Sequence, residues 1–203
     1  ITGRTLENIT SLISSKSISY VGNHGFELKH PTLKFSNRSA ERSKKAIAPI
    51  YKELKASLRN IKGVIIENKY YTLSVHYRLV KKRYVEILKD RLYNITSPYK
   101  KKGAIRVIKG KKVFEIRPNL KWNKGLMVNW LMKRLGKASR NFPIYIGDDT
   151  TDEDAFSELG KKGMTILVAD KRKPTKARFR VKTPRDVYRF IKHIVYLKEE
   201  SND

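Results

Sequence analysis

The sequence predicts an α/β protein: a parallel sheet with crossover helices, into which a smaller α+β unit is inserted. Three observations lead there. Short apolar runs alternate with stretches of helical periodicity near both ends of the chain, the pattern of strands joined by helices that cross back over a sheet. From about Pro31 to Arg117 the texture changes to paired β-rich runs beside helices. Pro143 to Phe156 reads as a buried strand, a glycine turn and an acidic helix start, and open α/β sheets bind ligands at the carboxyl ends of their strands.

Taken in order, Thr2-Gly3-Arg4 reads as a strand end. Leu6, Ile9, Leu12 and Ile13 repeat at helical spacing from Thr5 to Ser15. Ile18 to Val21 form a short strand running into Gly22-Asn23-His24-Gly25, and Phe26 and Leu28 continue it on one face. Ala46, Ile47, Ile50, Tyr51, Leu54 and Leu58 predict a helix that Pro49 starts or kinks. Val64–Glu67 and Tyr71–Arg78, joined through Asn68-Lys69-Tyr70, form a hairpin. A helix with Val85, Ile87, Leu88 and Leu92 follows, then a second hairpin of Ala104–Ile108 and Val113–Ile116 about Lys109-Gly110-Lys111-Lys112. Lys124 to Leu135 is a helix with Leu126, Met127, Trp130, Leu131 and Leu135 inward, stopped at Gly136. Met164–Val168 and Arg178–Val181 are strands, and Pro184–Leu197 closes the chain as a helix with Val187, Phe190, Ile191 and Ile194 inward. We therefore divide the chain into a core of 1–30 and 118–203 and an insertion of 31–117.

Composition narrows the function. No cysteine is present, which excludes disulfides, Cys-ligated zinc and thiol catalysis. No apolar run approaches membrane-spanning length and no secretion-type segment opens the chain, so we expect a cytoplasmic protein without a membrane partner. A formal charge of +27 admits a polyanion partner such as RNA. The charge is spread along the chain and no basic–aromatic RNA module is present, so we read a lysine-rich solvated surface and expect no nucleic-acid partner. The chain opens at Ile1 rather than Met, and we expect that an N-terminal segment precedes it.

Against this basic background, Asp148, Asp149, Asp152, Glu153, Asp154 and Glu158 place six of the 19 acids in one short stretch. Adjacent carboxylates after a buried strand repel one another unless a cation lies beside them, and hard oxygen ligands suit Mg²⁺. Asp148 and Asp149 are the candidate metal ligands. Asp152 reads either as a helix cap, a role Thr151 also fits, or as a holder of metal-bound water. Glu153 and Asp154 need no further role than the helix dipole. Thr2 presents a hydroxyl to an anion at a helix start, and Lys124, opening its helix, can neutralise a phosphate. His24, between glycines, reads as an exposed binding residue, while His76 reads equally as structural or functional.

Gly147-Asp148-Asp149-Thr150-Thr151-Asp152-Glu153-Asp154-Ala155-Phe156 and Glu115-Ile116-Arg117-Pro118-Asn119-Leu120-Lys121-Trp122-Asn123-Lys124-Gly125 are the most specific motifs. Thr2-Gly3-Arg4, Tyr20–Gly25, Ile66–Lys69 and Leu73–Arg78 support them in the same order. Together they resemble the haloacid dehalogenase-like phosphatases, and within them the trehalose-6-phosphate phosphatases. The resemblance implies a Rossmann-like core with an inserted α+β cap, and Mg²⁺-dependent removal of phosphate from trehalose 6-phosphate. It implies Asp148 as a direct metal ligand with Asp149 and Asp152 supporting the metal shell, Thr2 on the phosphate where the family usually has Ser, and Lys124 balancing phosphoryl charge. Glu67, Lys69, Arg78 and Glu115 match cap positions that grip the sugar, and Arg4, Asn23, His24, Gly25, Arg117 and Lys121 join them as substrate-binding candidates. A trehalose-phosphate synthase, fused or associated, is the implied protein partner. Another sugar phosphate such as sucrose phosphate, or a non-catalytic sugar-phosphate-binding role, are the alternatives.

One departure matters. The family attacks phosphorus with an aspartate of an Asp-x-Asp-Gly-Thr motif, whose second Asp protonates the leaving alcohol. This sequence has no such motif, and its only aspartate before Asp148 is Asp90, which reads as a solvated helix charge. We expect the 203 residues alone to be inactive or to bind weakly.

Overall fold

The structure is a computed structural model that describes residues 1–35, 37–135 and 142–200. It falls into two compact units, Ile1–Lys121 and Trp122–Asp203.

In the first unit, α1 (Leu6–Leu12) starts at Thr5, whose hydroxyl accepts from the Asn8 amide at 3.1 Å. None of its residues is buried, and Leu12 is 61% exposed. The strand β1 (Tyr20–Gly22) pairs antiparallel with β2 (Glu27–Lys29) instead of running on through Phe26 and Leu28. Left-handed φ values at Asn23 (48°), His24 (57°) and Gly25 (100°) reverse the chain between them, and Asn is among the few residues that adopt this region readily.

The rest of this unit is an antiparallel sheet covered on one face by two helices. They are α2 (Arg38–Leu58) and α3 (Lys82–Lys101), and the strands are β3 (Ile65–Asn68), β4 (Leu73–His76), β5 (Ile105–Gly110) and β6 (Val113–Pro118), in the order β3-β4-β6-β5. The helix over Ile47–Leu58 begins earlier than its apolar periodicity, because the Asn37 side chain caps it through the Ala40 amide; Pro49 lies within it. Ile47, Ile50, Leu54 and Leu58 of α2 and Leu88 and Leu92 of α3 bury against Leu73, Val75, Phe114 and Ile116 of the sheet. Side chains alternate across a strand, so Glu67, Ser74 and Glu115, which are cross-strand partners, share the opposite face.

The second unit is the parallel α/β part. The strands β7 (Ile144–Gly147), β8 (Met164–Val168) and β9 (Phe179–Val181) run parallel in that order. Helix α4 (Lys124–Leu135) lies along α5 (Glu153–Leu159), and Gly125 permits the approach, since a Cβ there would stand 2.3 Å from the Asp154 carbonyl oxygen. Val128, Ala155 and Leu159 pack together with Met132 and Tyr145, and Tyr145 meets Phe156 edge-on at 5.8 Å. The inward face of α4 is Lys124, Gly125, Met127 and Val128; Leu126 and Leu135, expected inward, are exposed. The stop expected at Gly136 lies outside the described residues. The closing helix α6 (Pro184–Glu200) forms as expected but buries none of its residues, and Ile191 is 49% exposed. Periodicity identified an apolar stripe there, but burial depends on a neighbour that periodicity cannot supply. Among the described residues no helix is long and apolar enough to cross a membrane.

Candidate functional site

The acidic turn is built from underneath by Asp152. The strand β7 ends at Gly147, where a Cβ would stand 2.4 Å from the Asp152 carboxyl carbon. Only glycine lets this carboxylate fold back beneath the strand end. There Asp152 Oδ2 accepts from the backbone amides of Asp148 (3.1 Å) and Asp149 (3.0 Å), while Oδ1 accepts from Lys124 Nζ (2.6 Å) and the Tyr145 hydroxyl (2.8 Å). Lys124 and Asp152 are 5% and 4% exposed. Burial by itself pushes the Asp152 carboxyl up, but the Lys124 ammonium, the amide of Asp149 and the Tyr145 hydroxyl outweigh it, and the group sits below the usual carboxylate range. Burial first, and Asp152 second, raise the Tyr145 hydroxyl far above the ordinary tyrosine value, so it remains a donor.

With four donors on its two oxygens, Asp152 anchors the turn and the lysine. Asp152 is the N-cap residue of α5, as expected, but its side chain makes no cap bond to that helix. The single turn Thr150–Asp152 before it is capped by Asp149, whose Oδ1 accepts from the Thr150 amide (2.6 Å) and whose Oδ2 accepts from the Thr151 hydroxyl (3.1 Å), while Asp152 completes the capping box by accepting from the Asp149 amide. The Asp148 carboxylate is exposed and accepts no hydrogen bond from the described residues. No cluster of three or more His, Cys, Asp or Glu able to hold a metal ion forms among the described residues. Asp148 and Asp149 are the carboxylates that the strand end presents outward, an oxygen donor set of the kind hard cations take.

Two contributors escape a reading of the sequence. Tyr145 alternates within a strand like any half-buried aromatic. Lys173, one of three consecutive basic residues, donates to the Asp148 carbonyl oxygen at 2.8 Å. Glu153 does more than complement a helix dipole: its carboxylate accepts from the Thr175 hydroxyl and the Lys176 amide, both at 2.7 Å, and so holds the segment that carries Lys173.

The first unit holds the other candidates. Thr2 is half-buried; its amide donates to the Val21 carbonyl (2.9 Å) and its hydroxyl accepts from the Arg4 amide (3.2 Å). The exposed Arg4 side chain donates to Asn8 Oδ1 at 2.9 Å. His24, expected to be exposed, is only 9% so. Its ring lies against Gly3, which has no side chain to displace it, and the left-handed turn tucks it inward. Asn23 is fully buried, and its amide nitrogen donates to Glu27 Oε2 (2.6 Å) and to the Lys69 carbonyl (3.0 Å). That bond brings the Asn23–Gly25 turn and the β3–β4 turn together, and Phe26 stacks on Tyr71 at 5.7 Å beside it.

On the sheet face away from the two helices, Glu67 Oε2 lies 3.4 Å from both Lys69 Nζ and His76 Nε2, so His76 faces a carboxylate rather than the core. Glu115 accepts from Arg117 Nε at 2.7 Å. Arg78 is exposed in the turn after β4, two residues beyond His76. Lys121 is exposed beyond β6.

A parallel sheet ending in an acidic turn, with an antiparallel sheet under two helices, is an α/β arrangement shared with solved structures, among them a haloacid dehalogenase-like hydrolase from B. subtilis, with a TM-score of 0.54 at 13% identity, covering 88% of this chain and 80% of that one. The structure is similar to that of a trehalose-6-phosphate phosphatase related protein, with a TM-score of 0.80 at 24% identity, covering 98% of this chain and 81% of that one. The trehalose-phosphatase family model matches residues 1–185, and the chain belongs to that family. It is 34% identical to probable trehalose-phosphate phosphatase J of Arabidopsis thaliana over 98% of its own length and 57% of that protein's. With probable trehalose-phosphate phosphatase 3 of Oryza sativa subsp. japonica it shares 33% identity, over 98% and 58%. The chain thus spans a little under three-fifths of the curated relatives it matches.

Proposed function

We propose that these residues form the metal-, phosphate- and sugar-binding part of a Mg²⁺-dependent phosphatase acting on trehalose 6-phosphate. The observation that carries this reading is the exposed Asp148–Asp149 pair at a parallel strand end, with the buried Lys124–Asp152 pair holding the turn beneath it. Membership of the trehalose-phosphatase family supports the reaction class, and the names of the plant relatives support the sugar.

In this reading Asp148 and Asp149 hold the ion, which when bound neutralises phosphate charge. Asp152 orients the turn through the two amides and holds the Lys124 ammonium in place, with Tyr145 locking the carboxylate. Thr2 offers a hydroxyl to the phosphate. Glu67, Lys69 and Glu115, joined by Arg117 and His76, form a row of alternating donors and acceptors suited to sugar hydroxyls. Residues 31–117 act as the cap, a trehalose-phosphate synthase is the associated protein, and the compartment is the cytoplasm.

Phosphoryl transfer also needs an attacking group and a proton donor. Asp90 is exposed on α3 and is unsuited to either task. The 203 residues therefore bind without turning over, and a chain that also carries an Asp-x-Asp-Gly-Thr strand end hydrolyses. The test compares phosphate release from trehalose 6-phosphate and sucrose 6-phosphate by both chains, with and without Mg²⁺. We expect release only from trehalose 6-phosphate, only with the added motif and only with Mg²⁺. Turnover by the 203 residues, or preference for the sucrose ester, overturns the corresponding part.

A further inference from the structure

The antiparallel unit has a second concavity, on the helix side of its sheet, that the proposed chemistry does not use. It is a groove of about 330 Å³ between α3 and the edge strand β5. Leu92, Val107 and Phe114 form an apolar floor, and Lys89, Lys100 and Lys109 stand around it with no acidic residue among the lining. Lys89 is engaged by Glu86, but among the described residues neither Lys100 nor Lys109 has an acidic partner. Strand alternation sets the groove apart from the sugar-binding candidates: Phe114 points to the helix side, and its neighbour Glu115 to the other face. Phe114 is also held in place by stacking on Tyr77 at 5.1 Å, so the floor is preformed.

We propose that this groove is a binding site for a small amphipathic monoanion, a medium-chain carboxylate whose alkyl body lies on Leu92, Val107 and Phe114 and whose carboxylate meets Lys100 and Lys109. Two observations point to this occupant over others. The volume is at the lower end of the range for small-molecule sites, too small for an extended polymer. An apolar floor beneath two ammonium groups without an acidic partner among the described residues complements an anion with a hydrocarbon body, where a free phosphate would leave the floor wet.

The test is an amide-resolved NMR titration of the chain with octanoate, repeated with octanol, with inorganic phosphate and in the Lys100→Gln/Lys109→Gln variant. These exposed substitutions leave the core untouched. We expect saturable shifts confined to residues of α3, β5 and β6, binding at least about tenfold weaker in the variant (about 1.4 kcal/mol), and weaker binding of octanol and phosphate. Saturating trehalose 6-phosphate displaces none of it. Shifts centred on α1 or α6, equal binding by the variant, tighter binding of octanol, or displacement by the sugar phosphate each overturn the assignment. These readouts do not depend on the phosphatase reading, which stands or falls on turnover.

Discussion

Replacing Lys124 with Met tests the buried pair beneath the acidic turn. The methionine fills the space of the lysine stem but leaves the Asp152 carboxylate without its cation. Breaking a buried pair from one side costs about 3–5 kcal/mol. Here the Tyr145 hydroxyl and the amides of Asp148 and Asp149 remain on the carboxylate, so the cost should fall to about 2–3 kcal/mol. For a chain of this size that lowers the melting temperature by about 4–12 °C. The pH dependence has a definite sign. The native Asp152 carboxyl lies below its unfolded value, so its pairing stabilises the fold above that unfolded value, about pH 4, and the stabilisation is lost as pH falls through the native value. In the variant, burial is no longer offset by the lysine and the carboxyl moves up. The stability gap between wild type and variant should therefore be widest near neutrality and narrow on acidification. Adding Asp152→Asn removes the stranded charge, and the double variant should lose less than the two singles together by at least about 1 kcal/mol. Urea unfolding of the four proteins at neutral and acidic pH measures all of this. A loss under about 0.5 kcal/mol in the single variant, a gap that widens in acid, or strict additivity refutes the reasoning.

Two further perturbations probe the local geometry. Gly147→Ala puts a Cβ 2.4 Å from the Asp152 carboxyl carbon and should push the carboxylate off the two amides; we expect a loss of about 1–3 kcal/mol in chemical denaturation, and a wild-type midpoint would contradict the packing described. Asn23→Ala removes the donor to Glu27 and to the Lys69 carbonyl. It should cost about 1.5–3 kcal/mol and speed amide exchange at Lys69 and Tyr71, whereas unchanged exchange there would mean that the tie between the two turns holds nothing.

Local patterns carried the elements well. Both hairpins of the antiparallel unit, the helix through Ile47–Leu58 and the strand–turn–helix about Gly147 follow from periodicity and from residues with narrow backbone preferences. Patterns misjudged partners. The flanking glycines made His24 look like part of an open loop, yet three successive left-handed residues fold the ring inward. Alternation through Phe26 and Leu28 reads as one strand with Ile18–Val21, because alternation along a chain does not register a reversal.

The same division runs through the acidic turn. A cluster of carboxylates after a buried strand in a chain of charge +27 was legible from the residues alone, because like charges so close together need a compensating cation. Which carboxylate does what was decided only by folding. Asp152 is the most engaged of the group, spent on Lys124, Tyr145 and two amides, while Asp149 caps the turn and Asp148 faces out. Lys124 lies 28 positions before its partner, and Lys173 reaches the turn from another loop. Hydrogen bonds between such distant residues leave no periodic trace, since they depend on how α4 meets α5 and the Thr150–Asp152 turn and not on any spacing along the chain.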